Sequence, residues 1–354
     1  VAEYDGHRVS AVQIASGLVS TFVGSGTSGS ADGVGTNAQL AGPHGMIGTR
    51  DRSVLYVAEF AGSAVRKVVV ATGVVTTVAS GMLAANGLSL SVDETILYVA
   101  AFSGHTIHQV TLSSGAVSVL AGSSSPGASD GYGSAGASFK YPADLALSAD
   151  GNVLYISDYG NHVIRSLDLA DNARVVTVAG TGTQATVDGV ATSAAFNEPH
   201  GVTLSPDGFY LLVTEYSGHT VRSVELANGL VRTVSGTGGA AGSSDGAATS
   251  AAFNAPGFAV ISARDSTLYV SEDSNTGIRK ISTTVSPAVD SERVLGCGSS
   301  DANPPATTPA IGLKTPSTVE TLAAYECGVV AKTSVSMSIG EQSLTAPFQT
   351  LFGV

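Results

Sequence analysis

Short runs that alternate apolar and polar residues dominate this chain and return in the same order along it. Each run ends at a Gly, Asp or Asn turn signal, which predicts short β-strands joined by tight turns. The most apolar runs end in an acidic residue in four of five cases, and they lie at 55–59, 97–101, 154–158, 211–215 and 268–272.

The runs belong to a unit of about 57 residues that recurs at least five times. Each full copy contains four strand-like runs, the first of which follows a proline in most copies. A long repeat with four strands per copy predicts a closed, all-β propeller with four-stranded antiparallel blades. For 354 residues we predict one domain with six blades, and seven blades are the alternative.

The repeat divides the chain into blades and places the ring closure at the two ends. The first 24 residues match strands two to four of a blade and lack its first strand, so closure is expected to involve both termini. Because residue 1 is Val rather than Met, we expect a processed or excised piece. We expect 317–323 to supply a first strand and 348–353 to resemble a fourth strand. The predicted units are a partial blade at 1–24, full blades at 25–80, 81–122, 123–180, 181–236 and 237–296, and a Pro/Thr-rich loop with a closing blade at 297–354.

The repeat carries Leu-Tyr-Val-x-Asp/Glu, Asn-x-x-Ile-Arg and Thr-Val-x-Gly elements over about residues 1–296. In these elements the chain resembles the NHL-repeat family of propellers. Its long spacers, with Asp-Gly, then Ala-x-Phe and then Pro, resemble extracellular and bacterial members. The resemblance implies the fold, whereas function varies within the family from RNA or protein binding to a few lyases.

An acid at the end of the second strand precedes an arginine in the third strand by seven residues in four blades. In the remaining full blade Ala101 replaces the acid and His108 replaces the arginine. Joint replacement predicts a structural ion pair across the hairpin rather than a cation-binding ring. The pairs are Glu59 with Arg66, Asp158 with Arg165, Glu215 with Arg222 and Glu272 with Arg279.

The long spacers contain Asp32-Gly33, Asp130-Gly131, Asp188-Gly189 and Asp245-Gly246. Since each offers one acid and calcium requires several oxygens, we predict turns rather than calcium sites. Downstream of these turns, apolar side chains are predicted to fill the space between neighbouring blades. They are Leu40, Phe139, Phe196 and Phe253.

The seven histidines divide into two main groups. His7, His105, His162 and His219 precede the third strand, where a side chain that bonds local backbone is expected. His44 and His200 each begin an inner strand within Pro-His-Gly and are predicted to line the channel. This placement resembles the zinc ligands of the peptidyl-hydroxyglycine amidating lyases, which use three such histidines. Here the other inner strands carry Asn86, Ala143, Gly257 and Ser317 at that position.

The charge of −12, from 16 Lys and Arg against 28 Asp and Glu, argues against nucleic acid as a partner and against RNA-binding NHL domains as the model for function. No apolar run is long enough to cross a membrane as a helix.

Cys297 and Cys327 flank a Pro/Thr/Ser-rich stretch, and we predict a disulfide between them, with two separate thiols as the alternative. Thr307, Thr308 and Thr315 are candidate O-glycosylation sites.

These features favour a non-enzymatic, extracellular or cell-surface scaffold that binds a protein or glycan and that can belong to a larger surface protein. No cofactor is expected on this view. The alternative is a metal-dependent lyase or hydrolase with zinc or calcium beside His44 and His200 in the central channel. A further alternative is self-assembly, in which open blade edges pair between molecules.

Overall fold

The computed structural model describes residues 1–262 and 267–282, together with the backbone of strand 318–324. Within these residues the chain forms six antiparallel sheets that follow one another in sequence, which confirms the predicted six-bladed β-propeller. Helical segments are short: Gly35–Asn37, Gly133–Gly136, Tyr159–Asn161 and Ala191–Ser193. No helix in the described ranges is both long and apolar enough to span a membrane.

Five blades run outward from an inner strand, whereas blade 1 has no inner strand among the described residues and begins with the counterpart of a second strand. From the innermost strand outward, successive strands pair as antiparallel neighbours. The strands of blades 1 to 3 are Ala2–Glu3, Arg8–Gln13 and Leu18–Val23; then Gly33–Val34, Pro43–Gly48, Val54–Glu59, Ala64–Val69 and Val74–Ser80; then Ala85–Leu90, Ile96–Ala101, Thr106–Thr111 and Ala116–Ala121. Those of blades 4 to 6 are Gly131–Tyr132, Pro142–Leu147, Val153–Asp158, Val163–Asp168 and Arg174–Ala179; then Gly189–Val190, Pro199–Leu204, Tyr210–Glu215, Thr220–Glu225 and Leu230–Ser235; then Pro256–Ile261, Leu268–Glu272, Gly277–Ser282 and Thr318–Ala324.

Three blades contain a fifth strand that the repeat did not predict. In blades 2, 4 and 5 the residues after the spacer aspartate form a two-residue strand on the outer edge of the sheet. In blade 2, for example, Gly33 pairs with Val75. The spacer therefore crosses the rim of its own blade before it enters the inner strand, and this brings its aspartate to the third strand.

The C-terminal strand lies in a different place from the one we expected. Thr318–Ala324 pairs with Gly277–Ser282 as the outermost strand of blade 6, with Ile278 opposite Ala323. The prediction that 317–323 is the first strand of a closing blade is therefore wrong. The preceding Pro316 resembled the proline before an inner strand, although the residues after it alternate like a fourth strand. The expected strand at 348–353 lies outside the described residues.

The core consists of layers between adjacent blades. Leu40, Phe139, Phe196 and Phe253 are all fully buried, and Phe139 packs against both Ile107 of blade 3 and Leu154 of blade 4. The prediction that these side chains fill the space between blades is confirmed. Met82 occupies the same position before blade 3. Burial of this kind contributes roughly 1.5–3 kcal/mol per large side chain.

The glycine that ends the fourth strand is required by the backbone. Gly180 has φ +110°, and a Cβ there would lie 2.7 Å from the carbonyl oxygen of His162. Neither the dihedral angle nor the space admits another residue without strain. The Gly of the Thr-Val-x-Gly element thus fixes the exit toward the next blade.

Candidate functional site at the mouth of the channel

One residue of each blade lies at one mouth of the central channel. It directly follows the strand that ends in the repeat acid or in Ala101, which is the second strand counted outward from the inner strand. Five of the six are aromatic, and neighbouring rings contact each other around the mouth. The ring centroids are 5.9 Å apart for Tyr4 and Phe60, 5.6 Å for Phe60 and Phe102, 5.6 Å for Phe102 and Tyr159, and 6.3 Å for Tyr159 and Tyr216. In blade 6 the sixth position holds Asp273. We call these six residues the mouth ring.

Three further rings from the inner strands lie on the channel axis inside the mouth ring. The imidazole of His44 lies 5.8 Å from that of His200, and Phe258 lies 5.1 Å and 5.0 Å from them. These contacts join the mouth ring to the axis through Phe60 on one side and Tyr216 on the other. The mouth is therefore an aromatic surface whose ring is interrupted by one acid, Asp273.

A β-bulge directs the histidines into the channel. The pairing of the inner strand with the second strand shifts register between Pro43 and Met46 in blade 2, and between Pro199 and Val202 in blade 5. Bulges re-aim side chains, which explains why both histidines point to the axis. The prediction that His44 and His200 line the channel is confirmed.

Both axial histidines are neutral at physiological pH. Burial lowers the pKa of His44, although its Nδ1 hydrogen-bonds the side-chain oxygen of Asn86. Burial, with His44 as a second cause, lowers the pKa of His200 to about 3. His200 Nδ1 and Asn86 Nδ2 are buried without a hydrogen-bond partner. The centre of the mouth thus contains two buried polar atoms whose hydrogen-bonding capacity is unused.

The rim also carries hydrogen-bonding groups. Tyr159 donates its hydroxyl to Glu198 at 2.7 Å, and Ser217 donates to the same carboxylate. Burial raises the pKa of Tyr159, and the bond to Glu198 raises it further. Asp273 is exposed at the mouth, and partial desolvation raises its pKa to about 6, so this acid is mostly ionised at pH 7.

A cavity of about 1150 Å³ continues from the mouth along the channel. Its upper wall includes Tyr4, His44, Phe60, Phe258 and Asp273, and its lower wall consists of inner-strand residues down to the opposite face. The volume exceeds the few hundred to about 1,000 Å³ that small-molecule sites usually occupy. The cavity also borders Val1, Ala2 and Glu3, beside which blade 1 has no inner strand among the described residues, so part of this volume is the place of that strand.

The predicted acid–arginine pairs are confirmed and are structural. The N–O distances are 2.9 Å for Glu59 and Arg66, 2.9 Å for Asp158 and Arg165, 3.0 Å for Glu215 and Arg222, and 3.2 Å for Glu272 and Arg279. Both side chains of each pair are almost fully buried and bonded to each other, so they do not form a cation-binding ring.

Each of these arginines binds a second acid, namely the spacer aspartate that we predicted only to form a turn. Arg66 reaches Asp32 at 2.8 Å, and Thr77 donates its hydroxyl to the same oxygen at 3.0 Å. The equivalent distances are 2.7 Å for Asp130 and Arg165, 2.8 Å for Asp188 and Arg222, and 2.7 Å for Asp245 and Arg279. The spacer is thus fastened to the blade that follows it.

The turn histidines contact the next blade rather than local backbone. His162 adopts a left-handed conformation, φ +57°, and its Nδ1 accepts the backbone N–H of Glu198 at 3.2 Å. His7, His105 and His219 accept backbone N–H groups from Gly42, Tyr141 and Ala255 in the same way. The expectation of local bonding is therefore wrong, since these side chains link consecutive blades.

Several predicted residues lie outside the described part of the chain: Cys297, Cys327, Thr307, Thr308, Thr315 and Ser317. Within residues 1–262 and 267–282 no group of three or more His, Cys, Asp or Glu side chains could hold a metal ion. The mouth ring was missed by sequence reasoning. Its signal was present, because each aromatic directly follows the repeat acid or Ala101.

Comparison with known proteins supports the repeat assignment. No protein-family profile matches the chain. NHL repeat-containing protein 2 of Bos taurus is 28% identical over 193 residues, which are 51% of this chain and 27% of that protein. The chain thus matches well under half the length of this relative.

Solved structures share the fold. A structural genomics protein of unknown function from Bacteroides thetaiotaomicron has a TM-score of 0.62 at 21% identity, over 79% of this chain and 65% of that one. An auxiliary nutrient binding protein from the same organism has a TM-score of 0.61 at 17% identity, over 78% and 64%. At such identities the likeness shows the fold alone. With NHL-repeat relatives in sequence and six propeller blades in structure, the chain is consistent with the NHL-repeat family.

Proposed function

We propose that this chain is a non-enzymatic binding propeller that holds a glycan at its aromatic mouth. The observation that carries the proposal is the mouth ring, in which five of six blades contribute an aromatic side chain. Aromatic rings supply flat apolar area at a low cost in conformational entropy, and the apolar faces of sugar rings stack on such surfaces.

Polar groups between the rings suit a ligand with many hydroxyls. Glu198 and the exposed Asp273 hold acceptor oxygens at the rim, and the hydroxyls of Tyr159 and Ser217 lie beside Glu198. A few fixed polar groups within an apolar surface are typical of sites that orient a small ligand. The nutrient-binding neighbour, named for ligand binding on the same fold, supports a binding role.

An extracellular or cell-surface location is part of the proposal and rests on the two cysteines and the Thr/Pro-rich stretch. Intact mass measured on the native protein, with thiol alkylation before and after reduction, tests it. We expect alkylation of Cys297 and Cys327 only after reduction, with added sugar mass on Thr307, Thr308 or Thr315. Free thiols and an unmodified mass would contradict this location.

The metal-dependent lyase alternative has weaker support. His44 and His200 contact each other and Phe258, and His44 already uses Nδ1 to bond Asn86. A catalytic zinc usually takes three protein ligands and a water, and the equivalent positions of the other blades offer only Asn86 as a further polar ligand among the described residues. A protein partner at the same mouth is the other alternative outcome of the binding test.

A glycan array probed with the purified chain tests the proposed function. We expect binding to a subset of glycans, with affinity reduced about tenfold or more in Tyr216→Ala and Phe60→Ala because each removes a stacking surface. Tyr132→Ala is the matched control, since Tyr132 is an aromatic residue 53% exposed on the outer edge of blade 4. No glycan binding, or equal losses in Tyr216→Ala and Tyr132→Ala, would contradict the proposal.

A further inference from the structure

The mouth ring is interrupted at one position, by Asp273 of blade 6. In the part of the chain that the structure describes, this exposed carboxylate has no ion-pair or side-chain hydrogen-bond partner. It differs in this from the repeat acid just before it, because Glu272 is bonded to Arg279 and to Asn275. Asp273 is therefore an acid without a structural role in its blade.

Four electron-rich rings share the cavity with this acid. Tyr4, His44, Phe60 and Phe258 line the same space as Asp273. His44 is at the centre of the group, with ring centroids at 5.9 Å from Tyr4, 5.6 Å from Phe60 and 5.1 Å from Phe258. The acid and the rings thus border one opening.

The cavity is lined by more acidic than basic side chains. His44 and His200 are neutral because burial lowers the pKa of each. Burial raises the pKa of the Tyr216 hydroxyl, and the charges of Asp273 and Glu198 raise it further. The basic residues that line the cavity are Arg8, which is paired with Glu3 at 2.6 Å, and Arg50. The acids that line it are Glu3, Asp5, Glu94, Asp144, Glu272 and Asp273.

We propose that Asp273 with Tyr4, His44, Phe60 and Phe258 forms a binding site for an organic ammonium cation. Aromatic faces attract such cations through their quadrupoles, and the carboxylate of Asp273 adds an opposite charge beside them. One carboxylate among aromatic rings does not suit calcium, which takes six to eight oxygen ligands. The weak hydration of an alkylated ammonium allows it to enter an apolar site that a metal ion would not enter.

This inference deepens the proposed function, since it rests on the mouth being open to ligand and adds the charge of the group that binds there. The ammonium group can belong to a free small molecule or to a sugar. Competition separates the two sources: a choline that displaces a glycan bound at the mouth shares its site, whereas a choline that binds alongside the glycan occupies a separate one.

The test is titration calorimetry of the whole chain at pH 7.5 with choline and with 3,3-dimethylbutan-1-ol, its uncharged isostere. We expect choline to bind at least about tenfold more tightly than the isostere, and Asp273→Asn to abolish this preference. Asp171→Asn, in a turn of blade 4 away from the mouth, is the matched control and should keep it. Phe60→Leu should weaken choline more than the isostere, because it keeps apolar volume and removes the ring.

Equal affinity for the two probes, a preference that survives in Asp273→Asn, or no binding of choline would each overturn the ammonium site. If one of these results is found and the chain still binds glycans on the array, the ammonium site is wrong and the proposed function stands. If the array and both probes give no binding, the proposed function itself is wrong.

Discussion

The imidazole ring of His44 contacts that of His200 with centroids 5.8 Å apart, although the two residues belong to blades 2 and 5 on opposite sides of the propeller. The channel is therefore no wider than two rings at this level. Because both imidazoles are neutral and packed among aromatic side chains, they contribute shape to the mouth rather than charge.

Replacement of His200 by phenylalanine should preserve or slightly increase the stability of the fold. His200 Nδ1 is buried without a partner, and removal of an unsatisfied polar group is neutral or favourable by about 1 kcal/mol. The variant also loses the hydrogen bond between His200 and the backbone of Gly257, but the carbonyl of Gly257 keeps a hydrogen bond from the Thr214 hydroxyl. Urea unfolding at pH 7 measures the change, and a loss above about 2 kcal/mol would show that the imidazole is needed.

The same variant has a defined pH dependence. The pKa of His200 is about 3 in the folded protein and 6.5 in the unfolded chain, so the unfolded state takes up the proton first as pH falls. The wild type therefore loses stability between about pH 6.5 and pH 3, and His200→Phe should lose less over that range. Identical pH profiles for the two proteins would contradict the buried, neutral state.

Removal of one partner of a buried ion pair should lower the free energy of unfolding more than removal of both partners. Arg222→His leaves Glu215 buried with no counter-charge, at a cost of about 3–5 kcal/mol. The double variant Glu215→Ala with Arg222→His copies blade 3, where Ala101 and His108 occupy these positions. We expect the double variant to be more stable than the single one in urea unfolding. A double variant less stable than Arg222→His would contradict this account.

Asp144 should limit stability at neutral and higher pH. It is a buried acid whose Oδ2 accepts the backbone N–H of Val202 at 3.0 Å, and burial raises its pKa from 3.8 to about 7. Between these values only the unfolded chain ionises, so stability falls as pH rises through this window. Asp144→Asn should therefore be more stable than the wild type at pH 8 by about 1–3 kcal/mol, with little difference at pH 4. A constant difference across that range would be inconsistent with the raised pKa.

The link between blades 4 and 5 through His162 should weaken in acid. Burial lowers the pKa of His162, whose unprotonated Nδ1 accepts the N–H of Glu198. Protonation removes this acceptor, so the contribution is present above the unfolded pKa of about 6.5 and is lost below it. His162→Asn tolerates the left-handed backbone and should cost about 1 kcal/mol at pH 8 and less at pH 5. Equal costs at both pH values would argue against the hydrogen bond.

Most of the fold could be predicted from the repeat, because each blade is built from local hairpins whose alternation and turns are visible in sequence. The acid–arginine pairs were predictable for the same reason, since Glu215 and Arg222 lie opposite each other across one hairpin. The second partner, Asp188, was harder to find because it lies 34 residues before Arg222. Its signal is that blade 3 lacks the spacer aspartate, the acid and the arginine together.

The site could be predicted only in part. His44 and His200 were placed in the channel, but their contact depends on the inner-strand bulges and on the narrowness of the ring, which no local pattern encodes. The position of Thr318–Ala324 depends on pairing across a long intervening segment, where local strand signals fit either an inner or an outer strand. The mouth ring could have been found by comparing the residue after the repeat acid in each blade, because that position is aromatic in five of the six blades.

The chain contains no tryptophan, so a single engineered one reports on its own surroundings. We would measure fluorescence of Phe60→Trp, at the mouth ring, and of Tyr132→Trp, on the outer edge, during titration with the glycan that binds most strongly on the array. We expect a saturable change in Phe60→Trp, with the wild-type affinity, and no change in Tyr132→Trp. A saturable change in Tyr132→Trp alone, or in neither variant, would show that the ligand does not bind at the aromatic mouth.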